Sequence, residues 1–369
     1  MPPRYRDGFR TRPSGDPLGP RTPPLRILLL VHEDLVPPET IEGLSDAQVA
    51  PFKTEFDVFA TLGNAGHDVL PVGVGSDLAV LKRAVEEFQP DVAFNLLEEF
   101  GGMGVFDAHV VSYLEMIRLP YTGCNPRGLM LARNKAIAKM IVRYHRIPAP
   151  KFHVFPLSGR LSGPRARIRK PKRLDYPLIV KSLTEEGSAG IAQASIVHDD
   201  EKLEERVRFI HRQLTTDALV ETFIPGRELY VGVIGNDRLS TLPPWEVFFD
   251  KLRDGAPKIA TSKVKWDERY QKKIGLTTGP AKALPGTLAA DLPKLAKRTY
   301  RALQLSGYCR MDFRIAADGK AYLLEANPNP QIMFGEDFAE SAEHGGLGYE
   351  KLLEKIINLG RKYRLVGQA

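Results

Sequence analysis

The sequence predicts an α/β protein whose N-terminal unit is built on a parallel sheet. Apolar strand segments alternate with stretches of helical spacing from Leu25 to Tyr121, the pattern of a parallel sheet. A length of 369 residues exceeds one ordinary domain, so two or three domains with their own cores are expected. Near the C-terminus, two strand-like stretches flank an Asp-Gly pair, the mark of a β-hairpin.

Taken in order, Met1–Pro24 holds five arginines against Asp7 and Asp16 and has no apolar periodicity, so residues 1–24 are expected to form a disordered tail. Leu25–Val31 is apolar apart from Arg26 and reads as a buried strand, too short and too far inside for a signal peptide. Asp57–Ala65 and Leu78–Phe88 have helical spacing. Asp91–Leu96 reads as a second strand, Val105–Ile117 as a helix and Leu119–Tyr121 as a short strand. Together they make a first unit over 25–123. Asn134–His145 is a helix stopped by Pro148 and Pro150. Phe152–Phe155 and Leu178–Lys181 are strands on either side of a basic insert, 158–173. Asp199 and Asp200 can cap a helix running to Gln213. Ala218–Phe223 and Glu228–Ile234 are strands, and Gly235-Asn236-Asp237 turns the chain into Arg238–Leu242. Thr287–Leu305 is a long helix and Tyr349–Arg361 the closing one. The expected boundaries are a central unit over 124–226 and a C-terminal unit over 227–369.

Composition narrows the function classes. An apolar fraction of 43% and a charged fraction of 26% are those of a soluble globular protein, and no apolar run approaches the roughly 20 residues that span a bilayer. The net charge of +7 invites a nucleic-acid reading, but its location argues otherwise. The insert alone has seven basic residues and no acid, and with the tail it more than accounts for the excess. Both segments read as solvated, and nucleic acid is not an expected partner. Two cysteines without metal-ligand spacing, Cys124 and Cys309, point to a reducing cytoplasm and structural thiols.

The hairpin carries the chemistry. Side chains alternate along a strand, so Arg310 and Asp312 share one face while Met311, Phe313 and Ile315 take the other. Glu325 and Asn327 share a face of the return strand by the same rule. Where those faces coincide, two carboxylates and an amide meet beside an arginine, a set of hard oxygen ligands that suits Mg²⁺. The competing reading is a surface hairpin with ordinary polar residues. The spacing, the asparagine and the apolar opposite face favour the metal.

No Walker A loop or G-x-G-x-x-G fingerprint occurs. Instead Pro177–Lys181 is a strand ending in lysine, followed by the small-residue loop Thr184–Gly190. Such a loop lets backbone N–H groups approach phosphate oxygens, and Lys181 would add a point charge to the same phosphates. Alone, a Gly-Ser turn is usually just a turn.

The order of motifs changes that weighting: a helix-borne Lys135, then Lys181 with its loop, then Val220–Glu228, then Arg310/Asp312 and Glu325/Asn327. In this order the chain resembles the ATP-grasp superfamily and, within it, the D-alanine–D-alanine ligase-like carboxylate–amine ligases, from about Leu25 to Arg361. The resemblance implies an α+β ATP-grasp fold, with an N-terminal parallel α/β domain followed by a two-subdomain ATP-grasp module. It implies a cytoplasmic ligase that uses ATP and Mg²⁺ (or Mn²⁺) to join a small-molecule carboxylate to an amine, and it is compatible with a homodimer. The same fold also serves glutathione-synthetase-like and carboxylase-like ligases, and from a different class stands a non-catalytic ATP-binding module.

By resemblance, Lys135 and Lys181 contact the phosphates of ATP, and Glu186, Gly187, Ser188, Ala189 and Gly190 form a mobile loop over them. Glu221, Phe223 and Ile224 fall where the family's hinge recognises adenine, and Glu228 where an acid binds the ribose hydroxyls. Lys265 resembles a further phosphate-contacting lysine. Asp312, Glu325 and Asn327 fall on the Mg²⁺ ligands, Arg310 on the arginine that steadies the acyl intermediate, and Ser188 on a hydroxyl that holds the first substrate.

Where the family grips its amino acids, this chain departs from the pattern. The family's Gly-Gly-x-Ser-x-Glu stretch reads His32-Glu33-Asp34-Leu35-Val36, and its second loop reads Glu98-Glu99-Phe100-Gly101-Gly102-Met103-Gly104. Past the metal asparagine the chain reads Pro328-Asn329-Pro330-Gln331. A substrate pair other than two D-alanines is therefore expected, with an acceptor that is larger or cationic and meets Glu98 and Glu99. Both acids facing solvent is the equal alternative.

Overall fold

The computed structural model describes residues 23–158, 168–185, 190–252, 259, 261 and 267–364. Three sheets organise them.

The first is parallel, in the order β2-β1-β3, from β1 (Arg26–His32), β2 (Asp68–Val74) and β3 (Val92–Asn95). Its helices are α1 (Asp46–Val49), α2 (Lys53–Asn64), α3 (Leu78–Phe88) and α4 (Asp107–Met116). Side chains from both faces of β1 are buried, which is why that strand is apolar without alternation. Ile27, Leu29 and Val31 pack with Val58 and Leu62 of α2, while Leu28 and Leu30 pack with Leu114 of α4. The sequence reading misses β2 because Pro71 interrupts it. Pro71 pairs with Leu29 on an edge strand, where a missing N–H is tolerated. The strand expected at Leu119–Tyr121 is a single bridge between Tyr121 and Ala93.

Two further helices, α5 (Pro126–Arg133) and α6 (Lys135–Tyr144), lead to an antiparallel sheet in the order β4-β7-β5-β6. Its strands are β4 (Phe152–Phe155), β5 (Leu178–Ser182), β6 (Ile196–Val197) and β7 (Ala218–Thr222), with α7 (Asp200–Gln213) between the last two. Asp199 caps α7 by accepting from the backbone N–H of Lys202, as the sequence indicates. Leu178, Val180, Ala218 and Val220 bury against Leu203, Val207 and Ile210 of α7. Strand alternation therefore sends Ile179, Lys181 and Glu221 to the opposite face.

The third sheet is antiparallel, in the order β11-β10-β8-β12-β13, with β9 paired to β8. It comprises β8 (Arg227–Ile234), β9 (Ser240–Thr241), β10 (Trp245–Phe249), β11 (Leu276–Pro280), β12 (Tyr308–Ile315) and β13 (Ala321–Pro328). Helices α8 (Glu268–Ile274), α9 (Leu288–Ala302), α10 (Asp337–His344) and α11 (Tyr349–Lys362) accompany it. Leu229, Val231, Met311, Phe313 and Ile315 bury against Leu292, Ala296 and Tyr300 of α9. The other face of the sheet is left to form the site.

Cys124 and Cys309 are both buried free thiols, as expected of structural cysteines. No helix among the described residues is long and apolar enough to cross a membrane.

Candidate functional site

The hairpin forms as the alternation requires. Arg310 lies directly across from Asn327, and Asp312 across from Glu325, so all four side chains share one face. The irregularity in register falls just beyond them, between Asp312 and Phe313. Arg310 is bidentate to Asp312, with Nε donating to Oδ1 at 2.8 Å and Nη2 to Oδ2 at 3.0 Å. Asn327 Nδ2 donates to Asp312 Oδ2 at 3.0 Å. The Arg310 guanidinium sits 4.4 Å from the centre of the Tyr230 ring. Burial works against charge on Arg310, but Asp312 outweighs it and holds the guanidinium firmly protonated.

These residues fit a hard divalent cation. Asp312 and Glu325 supply two facing carboxylates, and Asn327 spends its amide nitrogen on Asp312 and keeps its oxygen as an acceptor. Among the described residues no cluster of three or more His, Cys, Asp or Glu can hold a metal. Two carboxylates and one amide oxygen are a donor set suited to Mg²⁺, which takes one or two carboxylates and completes its shell with phosphates and water.

Opposite the hairpin stands a group of lysines. Lys135, at the first position of α6, donates to the Glu185 carbonyl at 2.7 Å and lies 4.0 Å from Glu325. Lys181 lies 3.2 Å from Glu221 and Lys139 lies 2.9 Å from it. Lys139 also donates to the Leu324 carbonyl at 2.6 Å, tying α6 to β13. Burial disfavours charge on Glu221, yet Lys139 and Lys181 prevail and hold its carboxyl below the ordinary range. Burial likewise opposes charge on Lys181, and Glu221 and Glu325 overcome it, so this ammonium is held more tightly than usual. Glu221 thus lies beneath the lysines.

Phe223 and Glu228 line a cavity of about 850 Å³ between the second and third sheets, together with Ile196, Val247, Phe249 and Ile315. Ile224 lies beside them in the connection between β7 and β8 and is half-buried. Glu228 is not an isolated acid, because Arg314 Nη2 donates to it at 2.7 Å and the Tyr230 hydroxyl at 3.1 Å. Gly190 ends the small-residue loop in the left-handed region (φ +67°), where a side chain would be strained, and its carbonyl accepts from Arg206 of α7. Glu186, Gly187, Ser188, Ala189 and Lys265 lie outside the described residues, as do most of the tail and of the basic insert.

Sequence reasoning missed Lys139 and Arg314. The signals were present. Lys139 is one helical turn from Lys135 and shares its face, and Arg314 follows Asp312 by two along a strand.

Beyond Asn327 the chain crosses to Cys124 and to helix α2. Asn329 accepts from the backbone N–H of Cys124 at 2.7 Å and packs against Gly123, where a Cβ would lie 2.5 Å from its Oδ1. Gln331 donates to Thr54 and the Phe334 N–H to Asp57, both at 3.2 Å. Two carboxyls here are pushed up to about 7: Glu55 by burial and by Glu98 and Asp57, Glu336 by burial and by Asp337. A raised carboxyl holds a proton in the folded state that the unfolded chain has released. Stability is therefore full below about pH 4.5 and is lost as pH rises toward 7. Ligand-free protein is expected to melt at a lower temperature at pH 8 than at pH 5. Glu55→Gln should flatten that slope, and a variant curve parallel to the wild type would count against this environment for Glu55.

Comparison with known proteins agrees with this geometry. Residues 141–358, more than half of the chain, match the family model described as D-ala D-ala ligase C-terminus. A D-alanine–D-alanine ligase of Geobacter sulfurreducens is 32% identical over 328 residues, covering 85% of this chain and 90% of that protein. An uncharacterized protein of Sinorhizobium fredii, y4sG, is 30% identical over 314 residues, covering 83% and 86%. Among solved structures, the D-alanine–D-alanine ligase of Bacillus anthracis complexed with ATP superposes with a TM-score of 0.68 at 22% identity, over 92% of this chain and 99% of that one. The VanG D-Ala:D-Ser ligase of Enterococcus faecalis gives 0.65 at 19% identity, over 91% and 99%. With its metal-type hairpin facing a lysine cluster across two antiparallel sheets, the chain belongs to the D-alanine–D-alanine ligase family and is an ATP-grasp carboxylate–amine ligase.

Proposed function

We propose that the protein activates an amino-acid-like carboxylate as an acyl phosphate and transfers the acyl group to an amine. The observation that carries this reading is the meeting of Arg310, Asp312, Glu325 and Asn327 with Lys135, Lys139 and Lys181. Three ammonium groups face two acids, Glu221 and Glu325, so the cleft retains positive charge suited to a triphosphate. The apolar cavity beside Phe223 and Glu228 suits the base and ribose, with Glu221 and Ile224 shaping the hinge behind them.

A carboxylate is a poor acylating agent because oxide would have to leave. In the first step a substrate carboxylate oxygen bonds to the γ-phosphorus while the bond to ADP breaks. In the second, the nitrogen of the neutral amine bonds to the carbonyl carbon, the C–O bond to phosphate breaks, and the proton the amine gives up leaves on the released phosphate. Negative charge gathers at the transferred phosphoryl group, where Lys135 and Lys181 lie on one side and Arg310 on the other. Asp312, Glu325 and Asn327 would hold Mg²⁺, which would offset negative charge on the phosphates. Ser188 and the loop Glu186–Gly190 would cover the reacting groups and keep water from the acyl phosphate. Lys265 is assigned a further phosphate contact on resemblance alone.

The test is a screen of amino acids and dipeptides for ATP-dependent phosphate release, with mass spectrometry of the products. Absence of ADP formation across the whole panel would count against the ligase reading. Lys135→Ala and Lys181→Ala should each weaken nucleotide binding by about 1.5–3 kcal/mol, the range for hydrogen bonds to charged groups. Calorimetry showing wild-type nucleotide affinity in both variants would reject the phosphate site.

A further inference from the structure

The strand register that assembles the hairpin also gathers three side chains at the nucleotide end of the cleft. Alternation carries the face of Arg310 and Asp312 on to Arg314, which lies directly across from Glu228 of β8. Tyr230 shares that face of β8 with Glu228, because Leu229 and Val231 turn the other way and bury against α9. A guanidinium, a carboxylate and a phenol therefore meet at the wall of the cavity that Glu228 lines.

Their contacts are specific. Arg314 Nη2 donates to Glu228 Oε2 at 2.7 Å, and the Tyr230 hydroxyl donates to Oε1 at 3.1 Å. Arg314 Nη1 donates to the Gly226 carbonyl at 3.3 Å. Gly226 is itself pressed against β12. At its φ of +148° a Cβ would collide with the Ile315 carbonyl oxygen, so only glycine lets the connection between β7 and β8 close on that strand. Gly226, Glu228 and Ile315 line the cavity, whereas Arg314 stands behind them and is only 4% exposed.

The arrangement does more than bury a salt bridge. The last torsion of a glutamate is broad, so an untethered carboxylate would turn at the cavity wall. One donor on each oxygen fixes its plane. An ionised carboxylate has about four acceptor positions, and Arg314 and Tyr230 occupy one on each oxygen. One remains on each, a pair of neighbouring acceptors that matches the adjacent hydroxyls of a ribose. The planar fork of Arg314 holds Glu228 and the Gly226 carbonyl together, a geometry that the point charge of a lysine does not reproduce.

We propose that Arg314 is a positioning residue. With the Tyr230 hydroxyl it holds Glu228 in the orientation that accepts from both sugar hydroxyls, and so makes the protein select ribose over deoxyribose nucleotides. This rests on the nucleotide reading of the cavity given above. A pair that served the fold alone would stabilise this corner without telling one sugar from another.

Calorimetry on the full chain with Mg²⁺ and ADP, 2′-deoxy-ADP or 3′-deoxy-ADP tests it, because these differ only in their hydroxyls and have no γ-phosphoryl group to transfer. The wild type should bind ADP at least about tenfold more tightly than either deoxy form, the factor expected of one hydrogen bond to a charged group. Arg314→Met should cut that preference to about threefold or less, chiefly by weakening ADP. Arg314→Lys should keep more of it than Arg314→Met. Tyr230→Phe, which retains the ring beneath Arg310, should lose part of it. In a Glu228→Gln background, Arg314→Met should change the ratio no further, the non-additivity of residues that act as one. Should the methionine variant fail to fold, Arg314→Lys and Tyr230→Phe carry the same readout. Equal binding of the three nucleotides by the wild type overturns the proposal. So does a loss of affinity in the Arg314 and Tyr230 variants that is the same for all three, the mark of a purely structural pair. In both of those cases ADP still binds, and the nucleotide reading of the cavity stands. Absence of binding by every nucleotide rejects that reading and the proposal with it.

Discussion

Glu221→Gln is expected to destabilise the folded protein by about 3–5 kcal/mol, the usual result of removing one partner from a buried ion pair. The side chain of Glu221 is 1% exposed, that of Lys139 3% and that of Lys181 11%, so water cannot replace the lost carboxylate. Two ammonium groups would then face each other with Glu325 as their nearest remaining acid. The damage should reach nucleotide binding as well, because Lys139 ties α6 to β13 through the Leu324 carbonyl and so fixes the distance between lysines and hairpin. Urea unfolding followed by circular dichroism measures the first effect and calorimetry the second. A Gln variant as stable as the wild type would mean that the lysines are solvated rather than paired through Glu221.

The same triad shows where reading along the chain succeeds and where it stops. The hairpin was legible because period-two alternation and an Asp-Gly turn fix which side chains face which. Helix α7 was legible through its acidic cap, and α6 through the prolines that stop it. Glu221 was legible as a site residue, but its position beneath the lysines was not, because that depends on a helix sixty or more residues away in sequence meeting β7 and β13. Strands β10 and β11 have no clean alternation, since their register comes from long-range pairing with each other and with β8. Glu55 and Glu336 were not singled out, because the sequence does not show that Glu55 is left only 7% exposed on α2 or that Glu336 follows a segment held against that helix. The acids at positions 98 and 99 were noticed because a family pattern made them unexpected. Their companions on α2 had no such prompt.

Asp312→Asn should reduce ligation by more than about 100-fold while the protein stays folded. Loss of an outer-shell partner alone typically costs about 10–100-fold in metal affinity or activity, and Asp312 is a proposed ligand. The substitution removes one of two facing carboxylates, leaving Glu325 to hold a dication with only the asparagine oxygen beside it. It also releases Arg310 from its bidentate partner, so the guanidinium can swing toward Glu336 and Asp337. Both changes act on the transition state, one through phosphate charge and the other through positioning. The loss should therefore appear in kcat more than in the KM for the acceptor. Raising Mg²⁺ should recover part of the rate, since a weakened site can be refilled by mass action. The backbone pairing of β12 with β8 and β13 does not involve the Asp312 carboxylate, so the strand should stay in place and the far-ultraviolet spectrum unchanged. Steady-state ADP release at several Mg²⁺ concentrations decides the matter: a variant with wild-type turnover at limiting Mg²⁺ would remove Asp312 from the metal site and with it the proposed role of the hairpin.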